Sequence, residues 1–113
     1  MTDAAFTAQW YLYLLRCRDN SLYGGITLDP VRRCHEHNEV RGRASRYVWA
    51  RRPATLVWQQ PVAGKSVALK LEYRLKRLPR KQKEQLLAQP ESWQQLLLAQ
   101  SRTVGADSII TVE

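Results

Sequence analysis

Acidic side chains are almost missing from the middle of this chain. Between Val40 and Lys83 there are thirteen lysines and arginines and one acid, Glu72. The imbalance accounts for the formal net charge of +8. A field of that sign draws polyanions from a distance and would release counterions from a nucleic-acid backbone. Arginine supplies most of it, and its planar fork suits phosphate. Nucleic acid is therefore the expected partner, with a basic surface of no dedicated partner as the plainer alternative. Long apolar runs are also absent. No stretch approaches the eighteen residues of a membrane-spanning helix, so no membrane association is expected. The opening MTDAAFTAQW has no basic region followed by an apolar one, which gives no secretory signal and makes the cytoplasm the expected location. There are only two cysteines, Cys17 and Cys34, and no C-x-x-C pair. Two reduced thiols is the simpler reading, although the sequence does not forbid a disulfide. Cys17, Cys34, His35 and His37 match no usual zinc spacing. There is no P-loop, dinucleotide fingerprint or serine-nucleophile motif, and no internal repeat or low-complexity tract.

What is present suits one domain, since 113 residues allow a modest core but not two. Trp10 to Cys17 is aromatic and apolar and reads as a buried strand. Arg18 to Ser21 is a turn by composition, and Leu22 to Thr27 returns as a second strand. Asp29 is a good N-cap with Pro30 at the first helical position, so a helix should run from Pro30 to about Asn38. Glu39 to Pro53 is arginine-rich and reads as mostly irregular. Ala54 to Val62 reads as a third strand whose Pro61 suggests an edge or an end. Val67, Ala68, Leu71, Leu75 and Leu78 mark one face of a helix between Gly64 and Leu78. Pro79 interrupts before a short helix from Arg80 to Ala88. A last helix is expected from Pro90 to Gln100, with Trp93, Leu96 and Leu97 inward. This order predicts an α/β fold of the α+β type, a small sheet with helices packed on it. The expected organisation is a flexible stretch over 1–9, the domain over 10–88, a C-terminal helix over 89–100 and a loose tail over 101–113.

Several residues could carry chemistry. Arg33 and His37, four apart, share a helix face, and could bind phosphate and stabilise its developing charge; a solvated face is the alternative. Tyr13 and Tyr23 lie on the two hairpin strands. An odd-length loop puts them on one face of the sheet and an even one on opposite faces, which the sequence leaves open. Gly24 and Gly25 inside a strand mark either a bulge or a close approach of another group to the backbone. Glu72 falls at the margin of its helix's apolar stripe. It is either a salt-bridge partner for Arg74, Lys76 or a distant arginine, or a ligand for Mg²⁺ completed by water and substrate phosphate.

From about Trp10 to Ala88 these residues together resemble the GIY-YIG nuclease family, especially its small single-domain bacterial members. Tyr11-Leu12-Tyr13 stands at the first triplet, with Tyr13 as the retained tyrosine. Tyr23-Gly24-Gly25 stands at the second, Gly24 replacing the usual middle residue. The pattern G-x-T-x-D-x-x-x-R-x-x-x-H then falls on Gly25, Thr27, Asp29, Arg33 and His37, and Glu72 in LEYRLKRL matches the helix-borne glutamate that holds the metal. The resemblance implies a three-stranded antiparallel sheet flanked by helices and hydrolysis of a phosphodiester with one divalent cation, Mg²⁺ or Mn²⁺. It implies Tyr23 as general base or water-orienting group, Tyr13 positioning that water or base, and Arg33 stabilising phosphoryl charge. His37 would assist proton transfer or hold the tyrosine network, and Glu72 would anchor the metal. The implied enzyme is a nuclease, endo or exo, acting on DNA ahead of RNA, either weakly selective or aimed at a DNA shape in repair or processing. Arg32, Arg41, Arg43, Arg46, Arg51 and Arg52 are the expected nucleic-acid contacts. The rival reading is a non-catalytic nucleic-acid-binding module in which Arg41 to Arg52 grip phosphate and Tyr47 or Trp49 stack on bases. A third is a protein-interaction domain built on the C-terminal helices around Trp93; no particular protein partner is indicated.

Overall fold

The computed structural model describes residues 8–98; the expected tail over 101–113 and most of the 1–9 stretch lie outside them. Strand β1 (Trp10–Arg16) occupies the centre of a sheet, with β2 (Leu22–Thr27) antiparallel on one side and β3 (Thr55–Val62) antiparallel on the other. Helices α1 (Pro30–Glu39) and α2 (Arg46–Ala50) lie between β2 and β3, and α3 (Lys65–Arg77) and α4 (Arg80–Ala88) follow β3. This is the three-stranded antiparallel sheet with flanking helices that the sequence led us to expect, with Pro61 on an edge strand. None of the described helices is long and apolar enough to cross a membrane.

Successive residues of β1 point to opposite faces of the sheet, and each face has its own core. Leu12 and Leu14 are fully buried against Ala68, Leu71 and Leu75 of α3, Leu86 of α4, and Trp58. Burying each such leucine stabilises the fold by roughly 2 kcal/mol. Tyr13 and Leu15 are buried on the other face against Val48 of α2, with Tyr23, Cys34 and Leu56 packed at the margin. A bulge in β3 makes the second face possible. Leu14 lies opposite Trp58 but Leu15 lies opposite Leu56, so Val57 is the extra residue. The shift lets Trp58 join the leucine core while Leu56 turns to the tyrosine side.

Local chemistry accounts for most element ends. The Asp29 carboxylate accepts from the Arg32 N–H at 3.1 Å, capping α1. The stretch expected to be mostly irregular contains a 3-10 turn at Arg41–Arg43 and the short helix α2, whose cap is Ser45 Oγ accepting from the Val48 N–H at 3.0 Å. Beyond α4 the expected α-helix is instead a 3-10 turn, Pro90–Ser92, and one wider π-type turn, Gln94–Leu98. Leu97 is fully buried in the leucine core and its carbonyl accepts from Arg74 Nη1 at 3.1 Å. Tertiary contacts there override local helical preference.

Candidate active site

The hairpin between β1 and β2 decides where the tyrosines point. The Asn20 N–H donates to the Cys17 carbonyl at 2.8 Å, and the Cys17 N–H donates to the Ser21 carbonyl at 2.9 Å. Asn20 has φ of 71°, the left-handed conformation that asparagine tolerates. The loop proper is thus Arg18, Asp19 and Asn20, an odd number, because Cys17 and Ser21 pair across it. Tyr13 consequently faces Gly25 and Leu15 faces Tyr23, and both tyrosine rings emerge on one side of the sheet.

Gly24 and Gly25 lie in a regular β1–β2 ladder, without the bulge that was one reading of them. The groups that approach their backbone are the protein's own. A Cβ at Gly25 would stand 2.6 Å from the Tyr13 hydroxyl and 2.7 Å from its Cζ, so the ring can cross the strand only where no side chain exists. A Cβ at Gly24, on the other face, would meet Leu75 Cδ2 at 3.0 Å and Leu14 Cδ2 at 3.4 Å. The leucine core fills the space there.

The Tyr13 hydroxyl lies 3.1 Å from Nε2 of His37, which is fully buried on α1. The other ring nitrogen, Nδ1, accepts from the backbone N–H of Ser45 at 3.2 Å. With Nδ1 accepting, the neutral ring carries its proton on Nε2 and donates it to the tyrosine oxygen. Burial, aided by the Arg33 charge and opposed by Glu36, pulls His37 down to about 4, so the ring is neutral at neutral pH. Burial pushes the Tyr13 phenol well above its ordinary range, with Tyr23 and Glu72 adding to the effect and Arg33 opposing it.

Arg33 sits one turn before His37. Its Nη1 donates to Glu36 Oε1 at 3.1 Å and to the Arg43 carbonyl at 2.6 Å. Glu36 is the residue that the sequence reading missed. It is 7% exposed and pairs with three arginines: Arg33, Arg32 Nε at 3.2 Å and Arg43 Nε at 3.0 Å. Burial alone would raise its carboxyl; the hydrogen bond from Arg33 and the charges of Arg43 and Arg32 outweigh this and hold it low. The spacing from Arg32 and Arg33 was readable as local helix pairs, but nothing in the sequence joined Arg43 to them.

Tyr23 meets the His37 ring edge-on, with centroids 5.4 Å apart, and stacks on Tyr47 of α2 at 5.9 Å. Arg51 lies over the Tyr47 ring at 3.7 Å and pairs with Asp19 at 3.0 Å, tying α2 to the hairpin turn. No hydrogen bond ties the Tyr23 hydroxyl to another described residue. From α3, Lys76 Nζ stands 5.9 Å from the Tyr23 ring centre and 3.2 Å from Glu72 Oε2. Glu72 therefore enters the site from the opposite helical layer, past the β2 edge. Its side chain is 21% exposed. Among the described residues no three His, Cys, Asp or Glu converge as a metal cage. Mg²⁺ does not need one, since it keeps several waters and takes one or two carboxylates plus substrate phosphate. Glu72 is a hard oxygen donor of the right kind.

Of the other expected contacts, Arg32 and Arg43 join Arg33 at Glu36, and Arg51 joins the Tyr23–Tyr47 pair. Arg41 and Arg46 are exposed on the connecting segment. Arg52 faces elsewhere. It covers the Trp49 ring at 3.5 Å and lines a separate cavity with Val31, Cys34 and His35, on another side of α1.

The family model for the GIY-YIG catalytic domain matches residues 9–85. A UPF0213 protein of Vibrio cholerae serotype O1 is 49% identical over 88 residues, covering 77% of this chain and 85% of that one. A UPF0213 protein of Aeromonas hydrophila is 46% identical over 86 residues, 76% of this chain; the match spans 62% of that longer relative. Among solved structures, the solution NMR structure of a UPF0213 protein from Bacillus halodurans is 38% identical. It covers 71% of this chain and 83% of its own, with a TM-score of 0.45.

Proposed function

Because the chain belongs to the GIY-YIG catalytic domain family, we propose that it is a metal-dependent nuclease cutting phosphodiester bonds, DNA ahead of RNA, with selectivity for DNA shape. One observation carries the reading. Tyr13, Tyr23, Arg33 and His37 gather on a single sheet face, and Lys76 links Glu72 to the Tyr23 ring.

The residues divide the work by their surroundings. Tyr13 keeps its proton because it is buried, so it is a hydrogen-bonding group and not a base. His37 is a neutral donor that fixes the Tyr13 oxygen, which favours its network-holding role over proton transfer. The Tyr23 hydroxyl is left to take or orient the attacking water. Arg33 uses Nη1 on Glu36 and the Arg43 carbonyl and also reaches the Tyr13 hydroxyl, so its remaining donor capacity would meet phosphoryl oxygens beside that hydroxyl. Glu72 would hold Mg²⁺ or Mn²⁺, which supplies charge neutralisation at the leaving oxygen. Lys76 neutralises the Glu72 carboxylate in the protein alone.

The rival binding module needs free aromatic faces for bases. Tyr47 and Trp49 already carry Arg51 and Arg52 over their rings, which weighs against it. The test is cleavage of end-labelled single-stranded, duplex, flap and branched DNA, and of RNA, in Mg²⁺, Mn²⁺ or EDTA. We expect cation-dependent cutting that falls by about 100-fold or more in both Glu72→Ala and Tyr23→Phe. Binding without cutting, unchanged in Glu72→Ala, would establish the module instead.

A further inference from the structure

We infer that Glu36 is a positioning residue that builds a second phosphate site beside Arg33, holding the forks of Arg32 and Arg43 ready for the backbone phosphate next to the one attacked. The inference rests on the reading that nucleic acid crosses this face.

Arg32 and Arg43 both pair with one oxygen, Glu36 Oε2, and both do so through Nε, at 3.2 and 3.0 Å. The Arg32 Nε–H donates to that oxygen, which fixes its guanidinium plane while its two terminal NH₂ groups remain to donate, and Arg43 is drawn to the same oxygen as an ion pair. The two side chains are 68% and 61% exposed, whereas the Glu36 side chain is 9% exposed. One buried carboxylate thus serves as the root of two exposed forks. The forks border a cleft of about 280 Å³ whose walls include Thr27, Asp29 and Arg33. The cleft holds three guanidinium groups, Arg32, Arg33 and Arg43, against two carboxylates, Glu36 and Asp29, which leaves a local surplus of one positive charge. Arg33 is shared between this cleft and the tyrosine site, so a phosphate here lies next to the one at Tyr23. Bidentate arginine–phosphate pairing is the chemistry that such forks suit. Arg33 itself has a second anchor in the Arg43 carbonyl at 2.6 Å, so it does not depend on Glu36 alone.

Simple charge counting and positioning predict opposite signs for Glu36→Gln. Removing a negative charge should tighten nucleic-acid binding if only the field matters. If Glu36 holds the forks, its loss should weaken binding despite the more positive surface. The experiment measures fluorescence anisotropy of a fluorescein-labelled flap duplex against the full chain in EDTA, at several NaCl concentrations. We expect the Arg32→Ala/Arg43→Ala double variant to bind more weakly and to flatten the log–log salt slope by about 0.7–0.9, the value of one phosphate contact. Glu36→Gln should weaken binding several-fold in the wild-type background. In the double-variant background it should hold or tighten binding, since no forks remain to lose. Weakening in both backgrounds would mean general damage and would overturn the positioning role, as would tightening in the wild type. If Glu36→Gln does not fold, the double variant alone decides, and an unchanged slope rejects the site. A flap duplex that the wild type does not bind overturns the site together with the nuclease reading. Binding with the expected slopes but no cutting in Mg²⁺ sinks the nuclease reading and leaves the site standing.

Discussion

Gly24 and Gly25 are neighbours with opposite tolerances. At Gly25 an added methyl would have to displace the Tyr13 ring, which is pinned by His37, so Gly25→Ala should cost about 1–3 kcal/mol and cleavage should fall with it. At Gly24 the obstacle is the end of the Leu75 side chain at 3.0 Å, and a small rotation relieves it. Gly24→Ala should therefore be the milder change. Urea denaturation of the two variants ranks them, and a Gly24 variant that is the less stable of the pair would contradict this account. The sequence showed that two glycines in a strand need a reason. It could not show that the reason was two different side chains on two faces.

His37 makes a second prediction at this scale. Its folded value of about 4 lies below the ordinary histidine value of 6.5. The unfolded chain then binds more protons than the folded one between those limits, so stability rises with pH there. The contribution is complete above about pH 6.5 and is lost as pH falls toward 4. Carboxylates such as Glu84, held down to about 2 by Arg16 with burial opposing and Arg80 adding, lose their contribution at lower pH. Denaturation between pH 7 and 5 isolates the histidine. Wild type should lose stability across that interval and His37→Gln should not; parallel curves would mean that His37 protonates without cost.

Among the elements, the hairpin loop is the one on which the site depends. Its composition was plain from Arg18 to Ser21, but its parity was not. Drawn from composition, the loop has four residues and would send the tyrosines to opposite faces. It is the left-handed Asn20 that closes a three-residue loop, and a sequence does not print dihedral angles. Asn20→Gly should be within a few tenths of a kcal/mol of wild type, because glycine enters the left-handed region freely. Asn20→Val should cost about 1–2 kcal/mol, with thermal denaturation as the readout; equal melting of the two would remove this role from Asn20. Helix α1 was legible for the opposite reason, since Asp29 and Pro30 are adjacent signals acting on adjacent backbone. Helix α2 is too short for periodicity to register, so it was hidden inside a stretch that reads as irregular.

For the molecule as a whole, charge was legible but its arrangement was not. The net charge of +8 predicts binding to nucleic acid that weakens linearly in log–log terms as salt rises. Affinity that ignores salt between about 50 and 200 mM would mean that the arginines are not phosphate contacts. What charge could not reveal is that the arginines divide: some gather at Glu36, Arg51 braces Tyr47, and Arg52 turns to another side of α1.

The sheet, finally, is a partition. Leu12 and Leu14 belong to one core and Tyr13 and Leu15 to another, although the four are consecutive in the chain. Changes made on the two sides share few partners, so their energetic effects should mostly add. Glu72 and Lys76 are the crossing point, reaching the tyrosines from the leucine side. A designer or a lineage could therefore rework the tyrosine side toward another substrate while leaving the leucine side as chassis. Alternate positions along one strand can then follow separate histories, with α3 the element whose two obligations must be reconciled.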